Sequence, residues 1–564
     1  MLRRARSFNG AAPVSGSFRA MAPDLLRPSP ADATPRIDLE TTRVAMGMAF
    51  ASGVSGGLFA DALDRADVSP STWSPDAYAA DLFVTEFVAR CMTIGARGAA
   101  PLSPRHVARV LTRPPSDPAE VAFRRAILAE LAASPERKAA LEELYLHLLR
   151  FRALLEGAAG AGKWDPARRQ LDILALVKVI VDAMATGFAG ATSGLSRLAA
   201  FGERVRAGEP YRSLGDLLRY DEELATVDLR VSVGADGRIR GFSILSVKEN
   251  RENPFVASAP RRWAARLELF LRGYKLGEGE VMARLVDAVW EGVEPDVAAF
   301  VPLLGDLEVY LGALGMRDRA LAAGLSVCLP DAASPGAPRA LEGLWNPLLL
   351  GHGITPVPCD LRIDRHDAIL LVTGPNSGGK TRLLQSIGLT QMLAQAGLFV
   401  PARSATVAAA PALVVSLIQD TKADQTEGRL GMELVRIRAL FERLPPGAMV
   451  ILDELCSGTN PSEGEEIFEL VVRMLARLSP QALITTHFLA FADRLEREGA
   501  VAELRFVQVA LGPDHEPTYQ FAPGVAKTSL AGHAAARLGV TGDQLLALIE
   551  GKIAARPPPE PPER

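Results

Sequence analysis

The sequence predicts an α/β domain with a parallel-core sheet, placed C-terminal to a mostly α-helical region that carries one small β-hairpin. Three observations predict it. Apolar runs at residues 368–373, 448–452 and 482–486 are followed by a glycine, an acid and a histidine, as buried parallel strands are when their C-terminal ends open into a ligand crevice. Residues 74–323 carry apolar positions at helical spacing over several long segments. Among these, at residues 227–247, the period changes to two on either side of Gly234-Ala235-Asp236-Gly237.

In chain order, residues 1–40 are rich in Pro, Ala, Ser and Arg without periodicity and read as a disordered leader. The basic start Met1-Leu-Arg-Arg-Ala-Arg6 imitates a signal peptide, but no apolar run comes after it. The apolar stretch 44–60 is broken by six glycines and serines and flanked by Arg43 and Asp61, which argues against a membrane span. Residues 41–335 are expected to form a helical core and lever region. Within it, 81–92 places its apolar residues on one face. Asp117-Pro118-Ala119-Glu120 is a helix start, with an N-cap acid, a first-turn proline and a glutamate three residues on. Val121, Ile127, Leu128 and Leu131 form the stripe of the helix it opens, and 141–155 and 171–185 are further helices, interrupted at 187–194. In the hairpin, Val227, Leu229, Val231 and Val233 alternate with Asp228, Arg230 and Ser232, and the return strand ends in the polar tract 248–253. Residues 259–316 return to helix. Their arginines, Arg261, Arg262, Arg266 and Arg272, with Trp263, Phe270 and Tyr274, read either as a nucleic-acid surface or as a helix with core aromatics and arginine stems laid along it. Residues 332–337 read as a linker, 340–550 as the α/β domain and 551–564 as a Pro-rich disordered tail.

The chemistry is concentrated in the α/β domain. The first strand enters Gly374-Pro375-Asn376-Ser377-Gly378-Gly379-Lys380-Thr381, which fits G-x-x-x-x-G-K-[ST] in full. The glycines let backbone N–H groups crowd around phosphate oxygens, Lys380 adds a point charge, and Thr381 offers a hydroxyl to Mg²⁺. A chance glycine-rich turn is the competing account; the strand before and the helix after count against it. The second strand ends in Asp453 and Glu454, one able to hold Mg²⁺ and the other to orient or deprotonate a water. The third ends at His487, placed to reach a γ-phosphate. Together these make a nucleotide hydrolase.

The motif Thr373–Thr381, with Gly397-Leu-Phe-Val-Pro401-Ala402, Asp453-Glu-Leu-Cys-Ser-Gly458-Thr459-Asn460 and Thr485-Thr-His487-Phe488 after it, resembles the α/β P-loop ATPase domain of the MutS family of DNA mismatch-repair proteins. Pro375-Asn376 is a sharper marker than the generic pattern, because transporter-type ATPases usually carry serine there. The segment from Tyr519 through Pro523-Gly524 to Ser529 resembles the stretch beyond the histidine in that family. The resemblance is strong over about residues 340–540, weaker over about 75–340 and absent from the first 70. It implies ATP and Mg²⁺, nucleotide contacts along Gly374–Thr381 with Asn346 near the adenine, Mg²⁺ held by Thr381 and Asp453, and Glu454 and His487 in catalysis. It implies a homodimer that sandwiches two ATP molecules, with Gly458, Thr459 and Asn460 at the subunit contact, and arms that close around double-stranded DNA. On this resemblance the hairpin is a reduced DNA clamp, with Arg230, Arg238, Arg240, Lys248 and Arg251 on phosphates. A solvated hairpin packed on the helical domain accounts for the same residues. The chain departs from the family in three places. No mismatch-reading Phe-x-Glu element precedes the core, since Phe201-Gly202-Glu203 lies elsewhere. The family's Ser-Thr pair at a helix start is replaced by Gly428-Arg429-Leu430-Gly431, where Arg429 and backbone amides would serve the partner's phosphate. No added nuclease domain is expected after the ATPase domain.

Composition sets outer bounds. With 564 residues and 48% hydrophobic content, the chain has core enough for roughly two to four domains. A net charge of −4 and a pI near 6.1 do not advertise nucleic-acid binding, though a local basic face suffices for it. Cys91, Cys328, Cys359 and Cys456 match neither a disulfide framework nor a zinc spacing, which fits a reducing, cytoplasmic setting. The reading is a DNA-binding, Mg²⁺-dependent ATPase, a dimeric clamp in mismatch repair or related repair and recombination, with repair proteins as further partners. Two alternatives stand beside it: recognition of branched or recombining DNA without mismatch specificity, and an ATP-driven switch acting on proteins without DNA.

Overall fold

The computed structural model describes residues 24–28, 35–52, 57–157, 166–223, 226–233, 239–248, 278–333, 336–375, 377–417, 429–456, 460–513, 516–527 and 539–554. Its helices begin with α1 (Leu39–Ser52), α2 (Leu58–Arg65), α3 (Val84–Cys91), α4 (Pro104–Thr112), α5 (Pro118–Ala133), α6 (Pro135–Leu155), α7 (Pro166–Gly187), α8 (Ser196–Arg206) and α9 (Glu209–Glu223). Strands β1 (Thr226–Val233) and β2 (Ile239–Lys248) come next, then helices α10 (Glu278–Val297) and α11 (Phe300–Ala322). The remainder alternates: β3 (Asp331–Ala333), β4 (Arg339–Leu344), α12 (Pro347–Gly351), β5 (Cys359–Ile363), β6 (Ile369–Thr373), α13 (Lys380–Gln395), β7 (Ser404–Ala408), β8 (Leu413–Ser416), α14 (Arg429–Arg443), β9 (Met449–Leu452), α15 (Pro461–Ala476), β10 (Gln481–Thr485), α16 (Leu489–Glu498), β11 (Leu504–Leu511), β12 (Pro517–Pro523) and α17 (Gly542–Ala554). No single helix among the described residues is long and apolar enough to cross a membrane.

The chain divides into two compact units, Met1–Asp67 with Ala139–Leu304, and Val68–Lys138 with Gly305–Arg564. The anticipated linker contains β3, which pairs in parallel with β7, and the segment 68–138 groups with the C-terminal α/β half.

Among its described residues the first unit is helical apart from the hairpin. Aromatic rings fill its core: Phe50 stacks on Trp290 at 4.1 Å between centroids, and Phe151 meets Phe59 and Phe300 edge-on at 6.3 and 5.6 Å. Helices α7 and α8 approach so closely that a Cβ at Gly202 would lie 2.6 Å from the Ala185 nitrogen, so the glycine of the Phe-Gly-Glu triplet serves packing. The hairpin forms as expected, β1 antiparallel to β2, with Arg230 opposite Ser243 and register shifts at 228/229 and 232/233. Residues 24–28 and 35–40 of the expected leader are among the described residues. Leu25, Leu26 and Ile37 are buried, Arg36 and Asp24 form a buried ion pair at 3.2 Å, and α1 starts at Leu39. Sparse but well-placed apolar side chains outweigh the disordered composition there.

The second unit is built on a six-stranded sheet in the order β12-β11-β6-β10-β9-β8. Five strands run parallel; β12 pairs antiparallel with β11 at one edge. Every residue of β6, β9 and β10 is buried, which is why these strands read as unbroken apolar runs. A second sheet, β3-β7-β4-β5, has no counterpart in the sequence reading; its strands have three to six residues each, and β4 carries a register shift between Leu341 and Leu344. The segment 68–138 is bonded into this unit. Trp73 Nε1 donates to Ala410 O at 2.9 Å, Thr72 Oγ1 to Pro411 O at 2.6 Å, and Arg124 Nη1 to Ala396 O at 3.2 Å. Asp117 caps α5 by accepting the Ala119 N–H, as its sequence demands. Glu120, the expected second half of a capping box, is diverted to Ser69 and Arg124 at 2.5 and 2.7 Å.

Candidate nucleotide-binding site

The C-terminal ends of β6, β9 and β10 converge on one place. At the end of β6 the backbone turns through Gly374 with φ 135°, and a Cβ there would lie 2.7 Å from Val509 of β11. Gly379, at φ 85°, is the N-cap of α13. Between them the Gly378 N–H donates to Pro375 O at 3.0 Å, closing the loop. Lys380 is 4% exposed, and its Nζ folds back to donate to Gly374 O and Pro375 O at 2.9 and 3.0 Å. Burial holds its ammonium below the ordinary lysine range, while the charges of Glu454 and Asp453 act the other way.

The acid pair sits beside this loop. Thr381 Oγ1 donates to Asp453 Oδ2 at 2.6 Å, and Thr485 Oγ1 donates to Asp453 Oδ1. The Glu454 N–H in turn donates to Thr485 Oγ1 at 2.8 Å. Glu454 and Cys456 have left-handed backbones, φ 50° and 62°, an uncommon conformation for such residues that persists where neighbours over-determine it. His487 stands two residues beyond β10, exposed, with its ring 4.2 Å from that of Phe488. Alongside the loop lies a cavity of about 740 Å³, walled by Ser377–Thr381 on one side and by Ile354, Val357, Tyr519 and Phe521 among others. A phosphate-binding loop with an apolar, aromatic annex suits a nucleotide.

Residues 370–552, which hold the phosphate loop, the acid pair and His487, match MutS domain V. That region belongs to the MutS domain V family. MutS domain V is an ATPase domain, and the six-stranded sheet is its framework here. Among curated proteins, the chain is 30% identical over 247 residues to Endonuclease MutS2 of Thermomicrobium roseum, a match covering 41% of this chain and 30% of that protein. It is 34% identical over 187 residues to Endonuclease MutS2 of Thermus thermophilus, covering 32% of this chain and 24% of the other, and 28% identical over 270 residues to that of Streptococcus thermophilus, covering 47% and 33%. The chain therefore spans a third or less of the length of these relatives.

Within the domain V region, the structure brings together Gly374, Pro375, Ser377, Gly378, Gly379, Lys380, Thr381, Asp453 and Glu454. Asn376, Gly458 and Thr459 lie outside the described residues, as do Arg238 and Arg251 of the expected DNA contacts. Arg429 opens α14, and Arg230, Arg240 and Lys248 fall on the hairpin strands; these are placed by backbone alone. Asn460 is the exposed N-cap of α15, its Oδ1 accepting the Ser462 N–H at 3.3 Å. Asn346, expected near the adenine, lines the same cavity. It is 3% exposed; its Nδ2 donates to Arg382 O and Gln385 Oε1, and its Oδ1 accepts the Leu348 and Leu349 N–H groups. These hydrogen bonds engage both ends of its amide and anchor α12 to α13. Two further residues, contained in the motifs but given no role by them, belong to the site: Thr485, whose signal is a hydroxyl at the end of an apolar strand, and Tyr519, whose ring would lie 3.2 Å from a Cβ at Gly379. Among the described residues, no group of three or more His, Cys, Asp or Glu is arranged to hold a metal. The Thr381 hydroxyl and the Asp453 carboxylate, 2.6 Å apart, are nonetheless the hard oxygen donors that Mg²⁺ takes, and Mg²⁺ ordinarily completes its shell with phosphates and water.

Proposed function

We propose that the protein is a Mg²⁺-dependent ATPase that works as an ATP-linked dimer on double-stranded DNA. The observation that carries the catalytic part is the joining of Thr381, Asp453, Thr485 and the Glu454 N–H into one hydrogen-bonded chain across the ends of three adjacent strands. Lys380 exchanges its two loop carbonyls for phosphate oxygens when ATP enters. Thr381 and Asp453 would hold Mg²⁺, which would supply positive charge against the phosphates. Glu454 orients the attacking water and takes its proton as the new P–O bond forms and ADP leaves; His487 lies close enough in the chain to the Thr485 junction to meet the γ-phosphate. Tyr519 and Phe521 provide apolar surface for the base. The DNA reading rests on family likeness and on the hairpin's arginines. The nuclease activity in the relatives' name stays with those proteins, because the family match in this chain is to the ATPase domain.

One experiment tests the reading: ATP binding and single-turnover hydrolysis by wild type, Lys380→Ala and Glu454→Gln, at low salt, with homoduplex, mismatched or branched DNA. Lys380→Ala should lose binding and hydrolysis together. Glu454→Gln should keep binding and hydrolyse about 10²–10⁴-fold more slowly. A hydrolysis rate in Glu454→Gln within about twofold of wild type would reject its role. Stimulation by branched over mismatched DNA would favour recombination intermediates, and indifference to all DNA would favour a switch acting on proteins.

A further inference from the structure

Three consecutive residues, Asp81, Leu82 and Phe83, each meet a different part of the framework around the phosphate loop. Asp81 Oδ1 accepts the Leu417 N–H at 2.7 Å, where the chain leaves β8. Leu82 is fully buried and lies so near α13 that a Cβ at Gly388 would fall 2.7 Å from its Cδ2. Phe83 lines the 740 Å³ cavity together with Thr381 and Arg382, and it remains 40% exposed. It does so with a left-handed backbone, φ 54° and ψ 42°, which glycine or asparagine accepts readily and an aromatic residue does not. Strain of this kind persists where neighbouring contacts impose it, and it clusters at ligand clamps. Here the imposing contacts are those of Asp81 and Leu82. The far end of α3 is tied to the same framework: Cys91 Sγ donates to Pro347 O at 3.2 Å, beside the Asn346 anchor on α13.

We propose that Phe83 is a nucleotide-positioning residue, its ring walling the ATP cavity while Asp81 and Leu82 hold it there against its backbone preference. The segment 68–138 thereby registers whether the cavity is filled, through the same turn that anchors the end of β8. This rests on the ATP reading above.

The test uses the full chain and a fluorescent ATP analogue. Phe83→Gly removes the ring and relieves the backbone. The thermal midpoint should hold or rise while affinity falls about three- to tenfold, and Phe83→Tyr should restore it. Phe83→Asn, which also tolerates the left-handed backbone, should match the glycine variant and covers the case in which added chain freedom unfolds Phe83→Gly. A lowered midpoint with affinity within about twofold of wild type would make Phe83 a packing residue and overturn the proposal. Unchanged affinity in two stably folded variants would do the same. Lys380→Ala, measured in parallel, separates the two ideas. Loss of binding in Lys380→Ala alone, with the Phe83 variants like wild type, would remove only the role of Phe83. Absence of binding in wild type itself would remove the ATP reading and this one with it.

Discussion

Thr485 shows what one hydroxyl can organise. It is fully buried at the end of β10, donates to one Asp453 oxygen and accepts the Glu454 N–H, so it sets the position of both acids at once. Thr485→Val keeps the volume and removes both bonds, leaving a buried N–H and a carboxylate oxygen short of a partner, at a penalty of about 1–3 kcal/mol each. The expected outcome is a raised Mg²⁺ requirement and slower single-turnover hydrolysis, with Thr485→Ser close to wild type. A magnesium titration of the three proteins decides it, and identical curves would reduce Thr485 to a core residue. Glycine spacing, Lys380 and the two acids are legible in the sequence because phosphate chemistry demands those types in that order. Thr485 is not legible as a contact, because a threonine closing an apolar strand looks like any β-branched residue. Asn346 carries a legible signal of another kind: its sequence neighbour Pro347 marks a helix start that needs a cap, which the Asn346 side chain supplies.

At the level of elements, the buried strands of the large sheet are evident from their apolar runs, and the small sheet is hidden by strands too short to show alternation. The joint between the two sheets is hidden as well. Arg339, the first residue of β4, is 4% exposed; its Nε donates to Gln481 Oε1 of β10 at 2.6 Å and its Nη2 to Gln391 Oε1 of α13 at 2.5 Å. Burial pulls its guanidinium down to about 10. The unfolded chain holds that proton more tightly than the folded one. The penalty on the fold is therefore full below about 10 and is relieved only as pH rises above it. Arg339→Ala should destabilise by about 2–4 kcal/mol, through a cavity and two stranded glutamine carbonyls. Arg339→Met, which fills the space and removes the charge, should lose less. Because the arginine stays protonated through neutral pH, the difference between wild type and Arg339→Met should be flat from about pH 7.5 to 9 in denaturant melts, above the range of His366, whose proton affinity burial and the Arg339 charge both lower. A slope there would mean that another titrating group depends on Arg339.

For the whole molecule, both chain crossings between the two units, at 138/139 and 304/305, fall inside helices α6 and α11. Neither carries the Pro- and Gly-rich composition that marks a linker, so periodicity runs straight through them. Assembly is a second property of this scale. The reading of an ATP-linked dimer gains support from α17, whose Leu545, Leu546, Leu548 and Ile549 are 42–61% exposed, an apolar surface suited to a second copy. Glu454→Gln with ATP and Mg²⁺ should sediment as a dimer and return to monomer when nucleotide is removed. A monomer at every nucleotide state and at tens of micromolar protein, roughly the range of weak association, would defeat the sandwich arrangement.

The split of the second unit into two distant stretches of chain also sets a schedule for its making. Trp73 reaches its partner carbonyl 337 residues further on, at Ala410. At about 5–20 residues per second, a ribosome needs roughly 20–70 s to supply that partner. Through that interval the nascent segment 68–138 has its indole and the side chain of Leu82 uncovered, while residues 139–304, the larger part of the helical unit, are being synthesised and can join residues 1–67 and fold first. The waiting time is fixed by translation and not by any folding barrier, so this segment is where a holding chaperone has the longest opportunity to bind.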